Sequence, residues 1–183
     1  MAGVAGVAGV AGVALRSWVV MGVSGCGKSA VGQLLAARLG LPYAEGDDDH
    51  PAANVAKMAA GMALDDADRH GWLLVLQGRL RAARQAGHGL VLSCSALKRS
   101  YRDLLREGDP GVAFAHLSGT PELIGARLRA RHGHFMPPAL LTSQFDTLQA
   151  LQPDERGLVL DVRLSPVVLA EQVVASPLAE LPA

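Results

Sequence analysis

Short apolar runs and longer helical patterns alternate along this chain. The runs are Trp18 to Val23, Leu41 to Ala44, Leu90 to Cys94, Val112 to Leu117 and Leu158 to Val162. Each is short and ends at turn-forming or polar residues, so five buried strands are expected. Pro42 fits only the beginning of the second, because proline has no N–H to give to a sheet. Between the runs, apolar residues recur at helical spacing. Ser29 to Leu39 follows the first run and stops at Gly40 and Pro42. Asp65 or Asp66 can cap a helix running to about Gln85, and a helix containing Tyr101, Arg102 and Arg106 follows the third run. Thr120-Pro121-Glu122 puts a cap, a proline and an acidic first turn before a helix ending near Arg131, and Ser165-Pro166 opens the last helix in the same way. This alternation gives an α/β fold, a five-stranded parallel sheet flanked by helices.

Two stretches fall outside the pattern. Asp47 to Gly61 is polar with small residues. Arg131 to Pro138 interrupts two helical patterns with a glycine and two prolines, and reads as a lid over residues 131–138. Ala2 to Ala14 is an uncharged repeat of Ala-Gly-Val. It is shorter than the ~20 residues that span a bilayer, it lacks the basic region of a signal peptide, and its glycine density weakens any helix. The expected organisation is a disordered extension over 1–16, one domain over 17–176 and a flexible tail over 177–183.

Composition supports one domain and small partners. A chain of 183 residues with 50% hydrophobic content is long enough for one buried core and too short for two ordinary domains. Basic and acidic residues both number 17, so no overall field favours nucleic acid or membrane. Two cysteines, Cys26 and Cys94, make no disulfide framework and fit a reducing cytoplasm.

The first run leads into Gly22-Val23-Ser24-Gly25-Cys26-Gly27-Lys28-Ser29, which satisfies G-x-x-x-x-G-K-[ST] at every required position. In the context of strand, loop and helix this motif is a cradle for a nucleoside triphosphate, extending to Ala30 at the start of the helix. Backbone N–H groups face phosphate oxygens, Lys28 reaches the β- and γ-phosphates, and the Ser29 hydroxyl is placed for Mg²⁺. Cys26 occupies a free position of the motif, where any small residue fits.

In an open parallel sheet, ligands sit beyond the carboxyl ends of the strands. Glu45 to Pro51 follows the second strand and faces the cradle. Phosphoryl transfer to an alcohol needs an acceptor for the hydroxyl proton and a means of holding the metal, and carboxylates two apart on an extended segment can divide these tasks. Asp47 is assigned to the acceptor hydroxyl and Glu45 to the metal side. Lys98 and Arg102, after the third strand, are candidates to contact a substrate carboxylate and hydroxyls, while Arg106 reads as helix surface. Arg127 and Arg131 are four apart on one helix face and are candidates for the γ-phosphate; Arg129 points elsewhere. His132 and His134 lack a third ligand for zinc. A GTPase switch is a poor fit, since no Asn-Lys-x-Asp guanine motif is present and no strand ends in Asp-x-x-Gly.

Taken together, Met21 to Ser29, Gly46-Asp47-x-x-His50-Pro51, Asn54-x-x-Lys57-Met58, Leu64-x-Asp66-x-Asp68-Arg69-x-x-Trp72-Leu73, Cys94-Ser95-Ala96-Leu97-Lys98-x-x-Tyr101-Arg102, Arg127-Leu128-x-x-Arg131-x-Gly133-His134-Phe135 and Gln144-Phe145-x-Thr147-Leu148 resemble the thermoresistant-type gluconokinases. The resemblance covers roughly Trp18 to Val174. It implies a three-layer fold with a lid, like that of nucleoside and shikimate kinases, and ATP-dependent, Mg²⁺-assisted phosphorylation of D-gluconate at its 6-hydroxyl by a cytoplasmic homodimer. It puts Asp47 on the family's substrate-side acid and His50, Asn54 and Lys57 in its substrate-binding segment. With the readings above, Lys28, Asp47 and Arg131 are assigned to catalysis, and Asp47, His50, Asn54, Lys57, Arg69, Lys98, Arg102 and His134 to the substrate side. Three positions depart from the family: Glu45 stands for a usual Asp, Asp65 for a common Asn and Gly71 for a frequent Pro. None removes a group that the transfer requires.

Overall fold

The computed structural model describes residues 16–130 and 138–180. Five strands form one sheet: β1 (Trp18–Met21), β2 (Tyr43–Glu45), β3 (Val91–Ser93), β4 (Ala113–Ser118) and β5 (Gly157–Asp161). Every neighbouring pair is parallel, in the order β2-β3-β1-β4-β5. β1 is central and wholly buried, which explains its unbroken apolar run. Its alternate side chains feed two cores. Trp18 and Val20 pack with α1 (Lys28–Leu39), α5 (Pro121–Ala130) and α7 (Pro166–Val174), whereas Val19 and Met21 pack with α3 (Asp66–Gln85) and α4 (Arg99–Gly108). The expected three layers are therefore present.

The boundaries follow local chemistry. β1 ends at Met21 because Gly22 turns the chain at φ 137. The start of α3 resolves the choice left by sequence: Asp65 is its cap, accepting the Asp68 N–H at 2.8 Å while Asp68 accepts the Asp65 N–H at 2.9 Å. Pro42 stands just before β2, where its carbonyl accepts the Val91 N–H.

Two expectations are corrected, and one stretch gains elements. The polar stretch from Asp47 to Gly61, which the sequence pattern left without an element, carries a short 3₁₀ turn (Gly46–Asp49) and α2 (Ala52–Ala59). α2 buries only Asn54, and Val55 stands half exposed, so no apolar stripe marked it as a helix. Arg16, assigned to the extension, is buried and donates to the Leu178 carbonyl at 3.0 Å. Part of the expected tail, α8 (Pro177–Glu180), is helical, and Leu178 packs on the first core. The helix after the expected lid is α6 (Pro138–Thr147). Residues 1–15, 131–137 and 181–183, which include Arg131 and His134, lie outside the described residues.

Candidate active site

The donor side is built on the first turn of α1. Gly27 caps this helix at φ 105 with no side-chain hydrogen bond, and the first turn holds no acid. The first backbone bond inside the helix is Val31 N–H to the Gly27 carbonyl, so the N–H groups of Lys28, Ser29 and Ala30 have no helical acceptor. α3, with its capping box and acidic first turn, solves the same problem with its own side chains. α1 leaves it to an anion, which its dipole also favours. A Cβ built on Gly27 meets nothing within 4 Å, so glycine keeps this space clear for a ligand. The loop residues Gly22, Val23, Ser24, Gly25, Cys26 and Gly27 thus lead into Lys28, Ser29 and Ala30 as a cradle that fits phosphate. Lys28 Nζ donates to the Val23 carbonyl at 3.2 Å across the loop. Cys26 is buried, and burial pushes its thiol up despite nearby Lys28 and Arg127. Arg127 is exposed on α5 and donates to the Val162 carbonyl at 2.6 Å.

The acceptor side begins where β2 ends. A Cβ on Gly46 would stand 2.3 Å from the Ser93 carbonyl oxygen, so only glycine lets the chain leave β2 this close to β3. The turn is then pinned from below: Trp72 Nε1 donates to the Gly46 carbonyl at 2.7 Å, and Arg79 holds Asp49. His50 stacks on Trp72 with ring centroids 4.1 Å apart. Burial lowers the His50 pKa against the pull of Asp47, which favours the uncharged ring. Asp47 lies on the same turn, exposed, and its carboxylate makes no hydrogen bond or ion pair with the described residues. Asp47, Lys28 and Glu45 all bear electrostatically on the buried Cys94 thiol, which burial pushes up to about 12. β3 lies between β1 and β2 in the parallel sheet, so the loop after β1 and the turn after β2 flank its carboxyl end.

Glu45 and Ser29, the pair expected at the metal, are connected through a residue that sequence did not single out. Tyr43 donates its hydroxyl to Glu45 Oε2 at 2.7 Å and lies 2.8 Å from Ser93 Oγ; Ser29 also reaches it. Burial pushes the Tyr43 hydroxyl up to about 12, and the Glu45 charge acts in the same direction, so it remains a donor. Among the described residues there is no cluster of three His, Cys, Asp or Glu that could hold a metal. The oxygen ligands that suit Mg²⁺ with phosphate are present in Ser29 and Glu45.

An open pocket of about 480 Å³ lies at the N-terminus of α3, lined by Leu64, Asp65, Asp66, Ala67, Arg69, Lys98 and Thr147. Lys98 Nζ donates to both Asp66 oxygens at 2.7 and 2.9 Å, and Tyr101 donates to the same carboxylate. The Lys98 bonds hold the Asp66 carboxyl below its usual range. Arg69 donates to the Leu64 carbonyl, and its guanidinium stands 5.8 Å from the Tyr101 ring centre. Two cations thus border the pocket. Asp47 and His50 are not among its lining residues.

The remaining candidates separate. Arg102 is a correction: it is fully buried and donates to both Glu155 oxygens and to the carbonyls of Ala96, Leu97, Gln149 and Ala150. Every N–H direction of its guanidinium is taken, so it tethers the loop before β5 and has none left for a substrate. Asn54 donates to the Asp68 carbonyl at 2.8 Å and Lys57 to the Asp68 carboxylate at 2.6 Å, which docks α2 on the start of α3. Thr147 and Gln144 stood in the quoted motif without a role. Thr147 lines the pocket, and Gln144 touches the loop of the donor side.

A phosphate cradle facing a free carboxylate across β3 defines a P-loop phosphotransferase for small molecules. The chain is 47% identical over 159 residues to the gluconokinase of Gluconobacter oxydans, covering 87% of this chain and 89% of that protein. It is 45% identical over 146 residues to the thermoresistant gluconokinase of Escherichia coli, covering 79% and 83%. The chain belongs to the gluconokinase family. The crystal structure of a gluconokinase from Sinorhizobium meliloti matches it with a TM-score of 0.82 at 43% identity, over 92% of this chain and 96% of that one. Shikimate kinase from Aquifex aeolicus shares the fold, with a TM-score of 0.58 at 14% identity over 87% and 94%. No protein-family model matches the chain.

Proposed function

We infer that this chain transfers the γ-phosphoryl group of ATP to the 6-hydroxyl of D-gluconate, giving 6-phospho-D-gluconate and ADP. The observation that carries this reading is the placement of Asp47, exposed on the turn after β2, on the far side of β3 from the Lys28 cradle that follows β1. The family supplies the acceptor, and the pocket supports it. Arg69 and Lys98 offer charge-assisted hydrogen bonds to a carboxylate, while Asp65, Asp66 and Thr147 can meet hydroxyls.

In the reaction, Asp47 orients the 6-hydroxyl and accepts its proton as the new O–P bond forms. The bond from the γ-phosphorus to its bridging oxygen breaks, and that oxygen leaves on ADP. Lys28 and the N–H groups at the start of α1 stabilise the charge on the phosphoryl oxygens, and Arg127 and Arg131 are proposed to add to this from α5 and the segment beyond it. Mg²⁺, when bound, neutralises phosphate charge. Ser29 would hold it together with Glu45, which keeps one carboxylate oxygen beyond the one that Tyr43 engages. The two free cysteines support a cytoplasmic location, and the family resemblance supports a homodimer.

ADP release measured across gluconate, shikimate, glucose and nucleoside monophosphates tests the reading. Turnover is expected with gluconate; turnover with only shikimate or a nucleotide would sink it. Lys98→Met should raise the KM for gluconate by about tenfold, the loss of one charge-assisted hydrogen bond, and leave ATP affinity unchanged. An unchanged KM would remove Lys98 from the acceptor site.

A further inference from the structure

Side chains from α1, β2 and β3 share a single hydroxyl. Tyr43 Oη donates to Glu45 Oε2 at 2.7 Å, lies 2.8 Å from Ser93 Oγ and is hydrogen-bonded by the Ser29 side chain. A carboxylate only accepts, and a phenol has one proton to give and two lone pairs to receive. The Tyr43 proton is therefore committed to Glu45, and Ser93 and Ser29 donate into its lone pairs. Every hydrogen-bonding direction of the hydroxyl is used.

The backbone makes room for this arrangement. Gly32 is buried in the interior of α1, one turn after Ser29, where glycine weakens a helix. A Cβ there would stand 2.7 Å from a Tyr43 ring carbon and 3.0 Å from Ser93 Oγ, so the missing side chain admits the ring. Register supplies the rest, since Tyr43 and Glu45 lie on β2 two residues apart and Glu45 stands opposite Ser93 on β3.

Ser29 is the hydroxyl that the cradle offers to Mg²⁺. With its proton directed at Tyr43, its oxygen keeps lone pairs for a cation. Glu45, with one oxygen fixed by Tyr43, keeps the other. Two hydrogen bonds in series hold the Ser29 and Glu45 oxygens within about 6 Å of each other, a span that one Mg²⁺ with its retained waters can bridge.

We propose that Tyr43 is a positioning residue for Mg²⁺: its hydroxyl receives the Ser29 proton and orients the Glu45 carboxylate, so that both side chains present oxygen to one cation. The proposal rests on the reading that ATP with Mg²⁺ is the phosphoryl donor.

Calorimetric titration of the full chain with a non-hydrolysable imido analogue of ATP, once with Mg²⁺ and once with EDTA, tests it in the wild type, Tyr43→Phe, Ser93→Ala and Glu45→Gln. The readout is the factor by which Mg²⁺ tightens the analogue. Tyr43→Phe keeps the ring and removes the hydroxyl; it should lower this factor by about three- to tenfold, the span of one net hydrogen bond, with the metal-free affinity within about twofold of the wild type. Ser93→Ala removes a bond of the same network but leaves the link from Ser29 through Tyr43 to Glu45, so its factor should stay within about twofold of the wild type. A Tyr43 that merely packs α1 on β2 would shift the affinities with Mg²⁺ and with EDTA together or neither. That result in Tyr43→Phe overturns the proposal, as does an equal loss of the factor in Ser93→Ala. Glu45→Gln decides the matter where Tyr43→Phe fails to fold. It can still accept the Tyr43 proton but carries no charge, and a factor lowered by about tenfold or more is expected; an unchanged factor would leave Tyr43 no metal-side carboxylate to orient. A wild-type chain that binds the analogue equally with Mg²⁺ and with EDTA would overturn the Mg²⁺ reading itself, and this proposal with it, which separates the two failures.

Discussion

Asp47→Asn is expected to lower kcat by about 10²- to 10⁴-fold, the usual cost of removing a positioned general base. Asparagine keeps the shape and can still accept a hydrogen bond from the substrate hydroxyl, but it cannot take the proton. kcat and kcat/KM for gluconate should therefore fall together, which marks an interaction made in the transition state. Stability should not change, because the Asp47 carboxylate is exposed and bonds to no described residue. Asp48→Asn is the control. It is exposed on the same turn, one residue from the acid assigned to chemistry, and should leave kcat near that of the wild type. A nearly active Asp47→Asn enzyme would move the base elsewhere.

Arg102→Met should do the reverse, destabilising the fold by about 3–5 kcal/mol, the cost of leaving one member of a buried ion pair without its partner. Glu155 is the group left behind, with its side chain fully shielded. In the wild type, burial pushes the Glu155 carboxyl up, but hydrogen bonds from Arg102 and the Gln152 N–H, with the Arg102 charge, outweigh this and hold it below its usual range. Its folded-state pKa is thus depressed, so its contribution is present above the unfolded value and lost as pH falls through the folded one. In Arg102→Met the sign reverses. Burial then raises the folded-state pKa, and the penalty is full at neutral pH and relieved as pH falls toward the ordinary glutamate value of about 4.3. Urea unfolding should show the gap between wild type and variant shrinking from pH 7 to pH 5. Adding Glu155→Leu should recover much of the loss. A gap that stays constant with pH would mean that Glu155 is not the source.

Arg102 also shows where sequence reading stops. A basic residue on a helix after a substrate-side strand has the appearance of a ligand, and its acidic partner stands 53 residues further on in an irregular loop. No local spacing links the two. The strands were legible because β1, β3 and β4 are buried on both faces, and α3 because Asp65 and Asp68 cap it within one turn. The phosphate cradle was legible for the same reason, since all its parts lie within nine consecutive residues. α2 was not, because it is held by Asn54 and Lys57 on Asp68 and not by an apolar face. Gln144 was missed because it acts through a contact to a residue brought near only by the fold, and Tyr43 because its bond to Glu45 two residues on gains its meaning only where Ser93 closes on the same hydroxyl.

The central claim is that the Lys28 cradle and Asp47 act on the two ends of one phosphoryl transfer to the 6-hydroxyl of gluconate. Phosphorus NMR of the product formed from ATP, Mg²⁺ and gluconate tests it directly. The predicted result is a phosphomonoester coupled to the protons on carbon 6, formed in step with ADP. Orthophosphate alone, or phosphate carried on any other carbon of the acid, would contradict it.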